Sequence, residues 1–233
     1  KPISTSISDL NSLHQTYTNC KNNLYYGYNR PYSKVISDLC MYDDISSSPF
    51  SMVCSIHGHD IPPDHWYRNS EEGSRICGNI GHWIDLSIHL LMKKNNFLSL
   101  EISVTNNSEN PDDNLIINMK SNLGDIIVIT LSSRFEPING INEKIYFQNN
   151  YFSSFIDDFK KKIFSSKNYN KTKCYLYKDV GHKRAILAPF KKNMRVEGEV
   201  FISSYITIKL SELIYLPEKK LKIDINNLKN KYI

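Results

Sequence analysis

One stretch of this chain limits its fold more than any other. Residues 75–92 (RICGNIGHWIDLSIHLLM) make an apolar run of about five helical turns. Directly after it the hydrophobic period changes to two. FLSLEISV (97–104), NLIINMKS (114–121), DIIVITLSS (125–133), EKIYFQN (143–149) and KCYLY (173–177) are rich in β-branched and aromatic residues. Asn, Asp, Gly and Pro mark connections at 106–114, 122–124 and 137–140, as expected between strands. A buried helix followed by such a series predicts an α+β domain: a mostly antiparallel open-faced sheet with helices packed on one face.

The flanks add to this plan. Leu10, Leu13 and Tyr17 have helical spacing in 8–20, with Ser8 or Asp9 as the expected N-cap. LYYGY (24–28) reads as a buried strand, and Pro31 starts a helix over 32–42 with Val35, Ile36, Leu39 and Cys40 on one face. Helix, strand, helix is how an α/β unit ends. Residues 48–57 alternate like a half-buried strand. Helices are expected again at 181–194 and 202–216, with Pro217 as the stop.

At 233 residues the chain is long enough for one large domain or two small ones. Its net charge of +5 is spread out, apart from Lys160–Lys162 and Lys191–Lys192. Without a dense basic cluster or a recognisable module, nucleic acid is not an expected partner; a mildly basic surface suits an anionic small molecule. The five cysteines are odd in number, widely spaced and lack a CxxC pair, so a disulfide framework or zinc ribbon is not expected and a reducing, cytoplasmic compartment is. No apolar run approaches the ~18 residues of a membrane span. The sequence starts at Lys1-Pro2 with no initiator Met and no signal peptide, so an upstream part is expected.

Five of seven histidines (His57, His59, His65, His82 and His89) fall in one stretch, together with Asp60, Asp64, Asp85, Trp66 and Trp83. Histidine moves protons near neutral pH. His82, Asp85 and His89 share one helical face, where a carboxylate one turn away can orient an imidazole. Gly78 and Gly81, flanking Asn79, each cost ~1 kcal/mol in a helix. Their presence implies a close approach to the backbone, by a flat ligand ring or by a neighbouring helix. The His57–His89 cluster also leaves open a metal-dependent hydrolase, although its spacing matches no tight zinc signature.

IPPDHWYRNSEEGSRICGNIGHWIDLSIHLL (61–91) resembles the Gfo/Idh/MocA oxidoreductases, and most of all their surface-sugar and nucleotide-sugar branch, with its PxDHW loop and G-E-x-x-H-x-x-D helix. Lys1-Pro2 resembles the end of the family's Glu-Lys-Pro motif, YGYNRPYS (26–33) its G-[FY]-N-R-R-[FY]-S, and KDVGHKRAILAPF (178–190) its late G-H helix start with His182 and Lys183. The resemblance implies that residues 1–30 end a Rossmann NAD(P)-binding domain and that 31–233 form a substrate-binding and oligomerisation domain. It implies NAD or NADP as cofactor, bound mainly upstream because G-x-G-x-x-G does not occur in this sequence. The substrate would be a sugar or nucleotide-sugar, and the assembly a homo-oligomer through the sheet face.

By the same resemblance Lys1 and His82 are the catalytic pair, and Lys1 and Pro2 border the cofactor. Asn29, Arg30, Asp64, His65, Trp66, Asn79 and Asp85 would bind substrate. Four positions depart from the family pattern: Asn79 stands for a usual carboxylate, Pro31 for the second Arg, Ser74 for a Gly, and Ile186 near a usual Glu. These departures favour the alternative of a non-catalytic binding or assembly domain.

Overall fold

The structure is a computed structural model that describes all residues except 1, 21–23, 25, 41–43, 108, 139 and 192–193. Among the described residues nine strands form one sheet in the order β8-β7-β6-β5-β1-β4-β3-β2-β9. They are β1 (Phe50–His57), β2 (Ser99–Asn106), β3 (Leu115–Ser121), β4 (Ile126–Ser132), β5 (Asn142–Asn149), β6 (Phe152–Asp157), β7 (Lys161–Ser166), β8 (Asn170–Cys174) and β9 (Lys220–Asp224). β1 pairs with β4 in parallel, and every other pairing is antiparallel. The helices are α1 (Ile7–Cys20), α2 (Lys34–Cys40), α3 (Asp44–Ser47), α4 (Gly81–Leu91), α5 (His182–Leu187), α6 (Glu197–Leu213) and α7 (Ile225–Tyr232).

The period-two pattern sorts the sheet into a dry face and a wet one. Phe50, Met52, Cys54 and Ile56 of β1 point inward with Ile127, Ile129 and Leu131 of β4 and Ile145 and Phe147 of β5. Together with Ile84, Leu86, Ile88 and Leu91 of α4, and Phe201, Ile206 and Leu210 of α6, they form one continuous core. α4 and α6 carry apolar residues around most of their circumference because α4 lies inside the helix layer, against α6. The opposite sheet face is open and carries Val53, Ile116, Ile126 and Tyr146.

The α+β plan of one sheet with helices on one face is the observed one; several element predictions need correction. Residues 24 and 26–28 form no strand: Tyr28 is fully buried in the helix layer, and no neighbouring strand offers a ladder. The strand expected at 173–177 lies at 170–174, an edge strand whose polar side chains are exposed and whose place is set by backbone pairing to β7. The period-two pattern does not single out β6, β7 and β9, because Ser and Lys interrupt it on both faces: Ser154 and Lys162 take buried inner positions while Phe155 and Ile163 lie on the outer side. Lysines at Lys220 and Lys222 suit an edge strand. The helix expected at 181–194 stops at Leu187, close to Pro189, which has no N–H for the ladder. Ser6, rather than Ser8 or Asp9, accepts the Asp9 N–H at the start of α1. The helix expected at 202–216 spans Glu197–Leu213, and a further helix, α7, follows β9, capped by Asp224 accepting from the Asn227 N–H at 2.9 Å.

The register fixes where a site can form. His57 pairs with Ser132 and Asn142, Lys144 with Asp157, and Lys161 with Cys174. The connections 58–75, 133–141, 158–160 and 175–181 therefore leave the sheet at the same end.

Candidate active site

Three segments converge at α6. The Ile3 N–H donates to Ser204 Oγ at 3.1 Å, which pins the amino end of the chain to that helix. The Tyr28 hydroxyl faces Thr207 and Ser204; burial first, then the nearby Asp85 carboxylate, pushes its phenol well above the ordinary value and keeps it protonated. Gly81, at the start of α4, packs so close that an added Cβ would lie 3.2 Å from Thr207 Cγ2 and 3.4 Å from Tyr28 Oη. His82 follows, half-buried, with its ring 5.8 Å from the Tyr28 ring in an edge-on arrangement.

The proline-bounded loop meets the same helix start. A π-helical turn at Ile76–Ile80 leads into α4, and the Gly81 N–H donates back to Ile76 O. π turns recur at functional sites. Tyr67 lays its ring on Gly78, where a Cβ would lie 2.2 Å from the ring, and its hydroxyl donates to Gly78 O at 3.1 Å. The two helix glycines are thus explained by a tyrosine ring at Gly78 and by α6 with Tyr28 at Gly81. Arg68 holds the loop through Asp112 (3.2 Å), Asp113 (2.7 Å) and Ile61 O (2.8 Å), while the fully buried Arg75 reaches Asp113 and His59 O. Ser74, which stands in place of a glycine, adopts φ 59, a conformation of the kind that favours glycine.

The other candidates separate into two groups. Asp64 and Trp66 are exposed on the loop; His65 is half-buried, accepts the Tyr67 N–H at 3.1 Å and stacks on Trp66. Asn79 is half-buried on the π turn. Arg30, Asn29 and Asp85, in contrast, are turned into the fold. Arg30 pairs with the buried Glu143 and lies 4.6 Å from the centre of the Trp83 ring, and Asn29 Nδ2 donates to Val180 O at 2.6 Å. Asp85 is fully buried and takes two hydrogen bonds from Arg195, at 2.6 and 3.0 Å. Its charge is committed to Arg195, not to the imidazole one turn away. Pro2 lies beside the anchored Ile3; Lys1 lies outside the described residues.

The sequence reading missed Arg195, Glu199, Glu143 and Tyr67. Arg195 also pairs with Glu199, whose Oε1 accepts a hydrogen bond from His89 Nδ1 at 2.8 Å. Burial alone would raise the Glu199 carboxyl, but Arg195 and His89 outweigh it and hold it at about 2. Only the four-residue spacing of Arg195 and Glu199 was visible beforehand.

The histidine-rich stretch does not form a metal centre in the described residues. His59 pairs with Glu136, His89 with Glu199, and His57 is exposed at the end of β1; no three His, Cys, Asp or Glu side chains come together as a possible ligand set. The hydrolase alternative therefore lacks its ligands there. No described helix is long and apolar enough to cross a membrane.

These features define an open mixed sheet with a helix layer on one face and a histidine-bearing helix start under a rigid aromatic loop. Solved structures place that architecture. A probable dehydrogenase from Thermotoga maritima superposes with a TM-score of 0.70 at 14% identity, covering 100% of this chain and 72% of its own. An NAD-binding protein from Listeria innocua gives 0.65 at 13%, covering 95% and 69%. A Gfo/Idh/MocA family oxidoreductase from Vibrio cholerae gives 0.61 at 14%, covering 91% and 67%. The chain therefore has the fold found in Gfo/Idh/MocA-type oxidoreductases, across most of its length. No protein-family profile matches the chain, and no curated protein matches it in sequence.

Proposed function

We propose that this chain is the substrate-side part of a two-domain NAD(P)-dependent oxidoreductase of the Gfo/Idh/MocA family, acting on a secondary alcohol or ketone of a sugar or nucleotide-sugar. The observation that carries the reading is the convergence of the amino end, Tyr28 and the His82-bearing helix start around Ser204 and Thr207. The residues present fit only the nicotinamide end of a dinucleotide, since the sequence holds no glycine-rich phosphate turn. When bound, the cofactor would supply hydride transfer. The protein's task is to orient the substrate and manage the hydroxyl proton. His82 takes or returns that proton, and its half-buried ring is held edge-on by Tyr28. Asp64, His65 and Trp66 border the sugar, and Asn79 contributes an amide one turn before His82. Lys1 would stand beside the reacting hydroxyl and Pro2 beside the nicotinamide.

The open sheet face with Val53, Ile116, Ile126 and Tyr146 suits a second copy of the chain.

In the protein carrying its dinucleotide-binding part, His82→Ala is expected to lower turnover at least ~100-fold, the low end for a lost general acid–base. The assay follows nicotinamide absorbance across a panel of sugars and nucleotide-sugars. Near-normal turnover of the best substrate would remove His82 from this role. A non-catalytic binding domain is the second reading, favoured by Asn79 in place of a carboxylate. It requires nicotinamide or sugar binding with no hydride transfer at any pH.

A further inference from the structure

We propose that Tyr67 is a positioning residue that sets the orientation of Asn79 relative to His82, an inference that rests on the acid–base reading of His82. The π turn places one extra residue between the loop and α4. If it relaxed to α-helical register, the residues before Gly81 would rotate by about 100° relative to those after it. The downstream part cannot follow, because Asp85 is fastened to Arg195 and Gly81 is wedged against Thr207 and Tyr28. Such a slip would therefore rotate Asn79 relative to His82 while His82 stays in place.

Tyr67 opposes the slip in two ways. Its hydroxyl donates to Gly78 O, the carbonyl four residues before His82 that an α-helical ladder would offer to the His82 N–H. Its ring also occupies the space a side chain at Gly78 would fill, so the ring can lie on the turn only because residue 78 is a glycine. Tyr67 is itself held on both sides. Its N–H donates to His65 Nδ1, and its ring centre is 4.1 Å from that of Trp66. The loop beneath is clamped by Arg68 onto Asp112 and Asp113. The loop that borders the proposed sugar site thus also sets the register of the helix start that carries the proton-transfer group.

The test needs no substrate. In histidine-labelled chain, Tyr67→Phe keeps the ring and removes the hydroxyl. The His82 titration midpoint, followed by NMR, is expected to move by at least about 0.3 pH unit while those of His14 and His182 stay in place. Amide exchange at residues 81–83 is expected to rise at least about 10-fold. An unchanged His82 titration and unchanged exchange in a folded variant would overturn the proposal. If the variant does not fold, exchange in the unsubstituted chain decides: amides of 67–69 and of 81–82 opening with one common free energy support the coupling, and independent opening refutes it. Neither readout depends on catalysis, so failure of the His82→Ala turnover test would leave this result standing, and the reverse also holds.

Discussion

Arg195→Met is expected to destabilise the chain by about 3–5 kcal/mol, the usual result of removing one partner from a buried ion pair. For a domain of this size that corresponds to a fall in Tm of roughly 6–20 °C. The guanidinium serves two carboxylates at once, the fully buried Asp85 and the nearly buried Glu199. Methionine fills the space but leaves both acids inside the helix layer without their cation. Replacing an exposed pair such as Lys209–Glu212 should cost less than about 1 kcal/mol.

The loss should also depend on pH. Glu199 sits at about 2 against an ordinary 4.5. A carboxyl lowered in the folded state stabilises it fully above the unfolded value and loses that contribution as the pH falls through the folded one. The gap between wild type and Arg195→Met is therefore largest above pH 4.5 and narrows towards pH 2. Thermal unfolding at pH 7 and pH 3 measures both points. A variant melting within about 2 °C of wild type at pH 7 would show that the pair contributes little.

Gly181→Ala is expected to be of similar size for a different reason. Gly181 has φ 94, and an added Cβ would lie 2.1 Å from Asn29 O, 2.6 Å from Ser33 N and 2.8 Å from Tyr32 C. All three atoms are backbone, in the segment that carries Tyr28 and Arg30, so they cannot swing aside as a side chain would. Backbone strain of about 1–3 kcal/mol adds to overpacking of about 1–3 kcal/mol. Gly140→Ala is the control: its φ is 76, but nothing lies within 4 Å of the added methyl, so only the strain applies. If the two variants unfold at the same denaturant concentration, the close contact at Gly181 carries no cost.

Much of the candidate site was legible because it is local. The PxDHW loop, the glycines and His82 lie within about two dozen residues, and helical periodicity alone placed His82, Asp85 and His89 on one face. What that face touches was not legible. The expectation that Asp85 would orient an imidazole met a competitor 110 positions away, and a bidentate Arg–carboxylate pair in a dry interior outweighs a contact along the same helix. Arg30 met Glu143 in the same manner, 113 positions away. Tyr67 was hidden because its importance comes from a missing side chain at Gly78, which sequence shows only as a glycine of unknown purpose.

The sequence by itself determined the fold class and the inner face of most strands and helices. Those follow from periods of 2 and 3.6 residues, which any chain with this apolar pattern must bury in the same way. Tertiary structure alone decided which charges neutralise each other, which glycines admit a ring or a backbone, and where the polar edge strands β8 and β9 sit. These depend on short-range forces between groups far apart in the chain, and contacts of 2–4 Å cannot be read from residues more than a hundred positions apart.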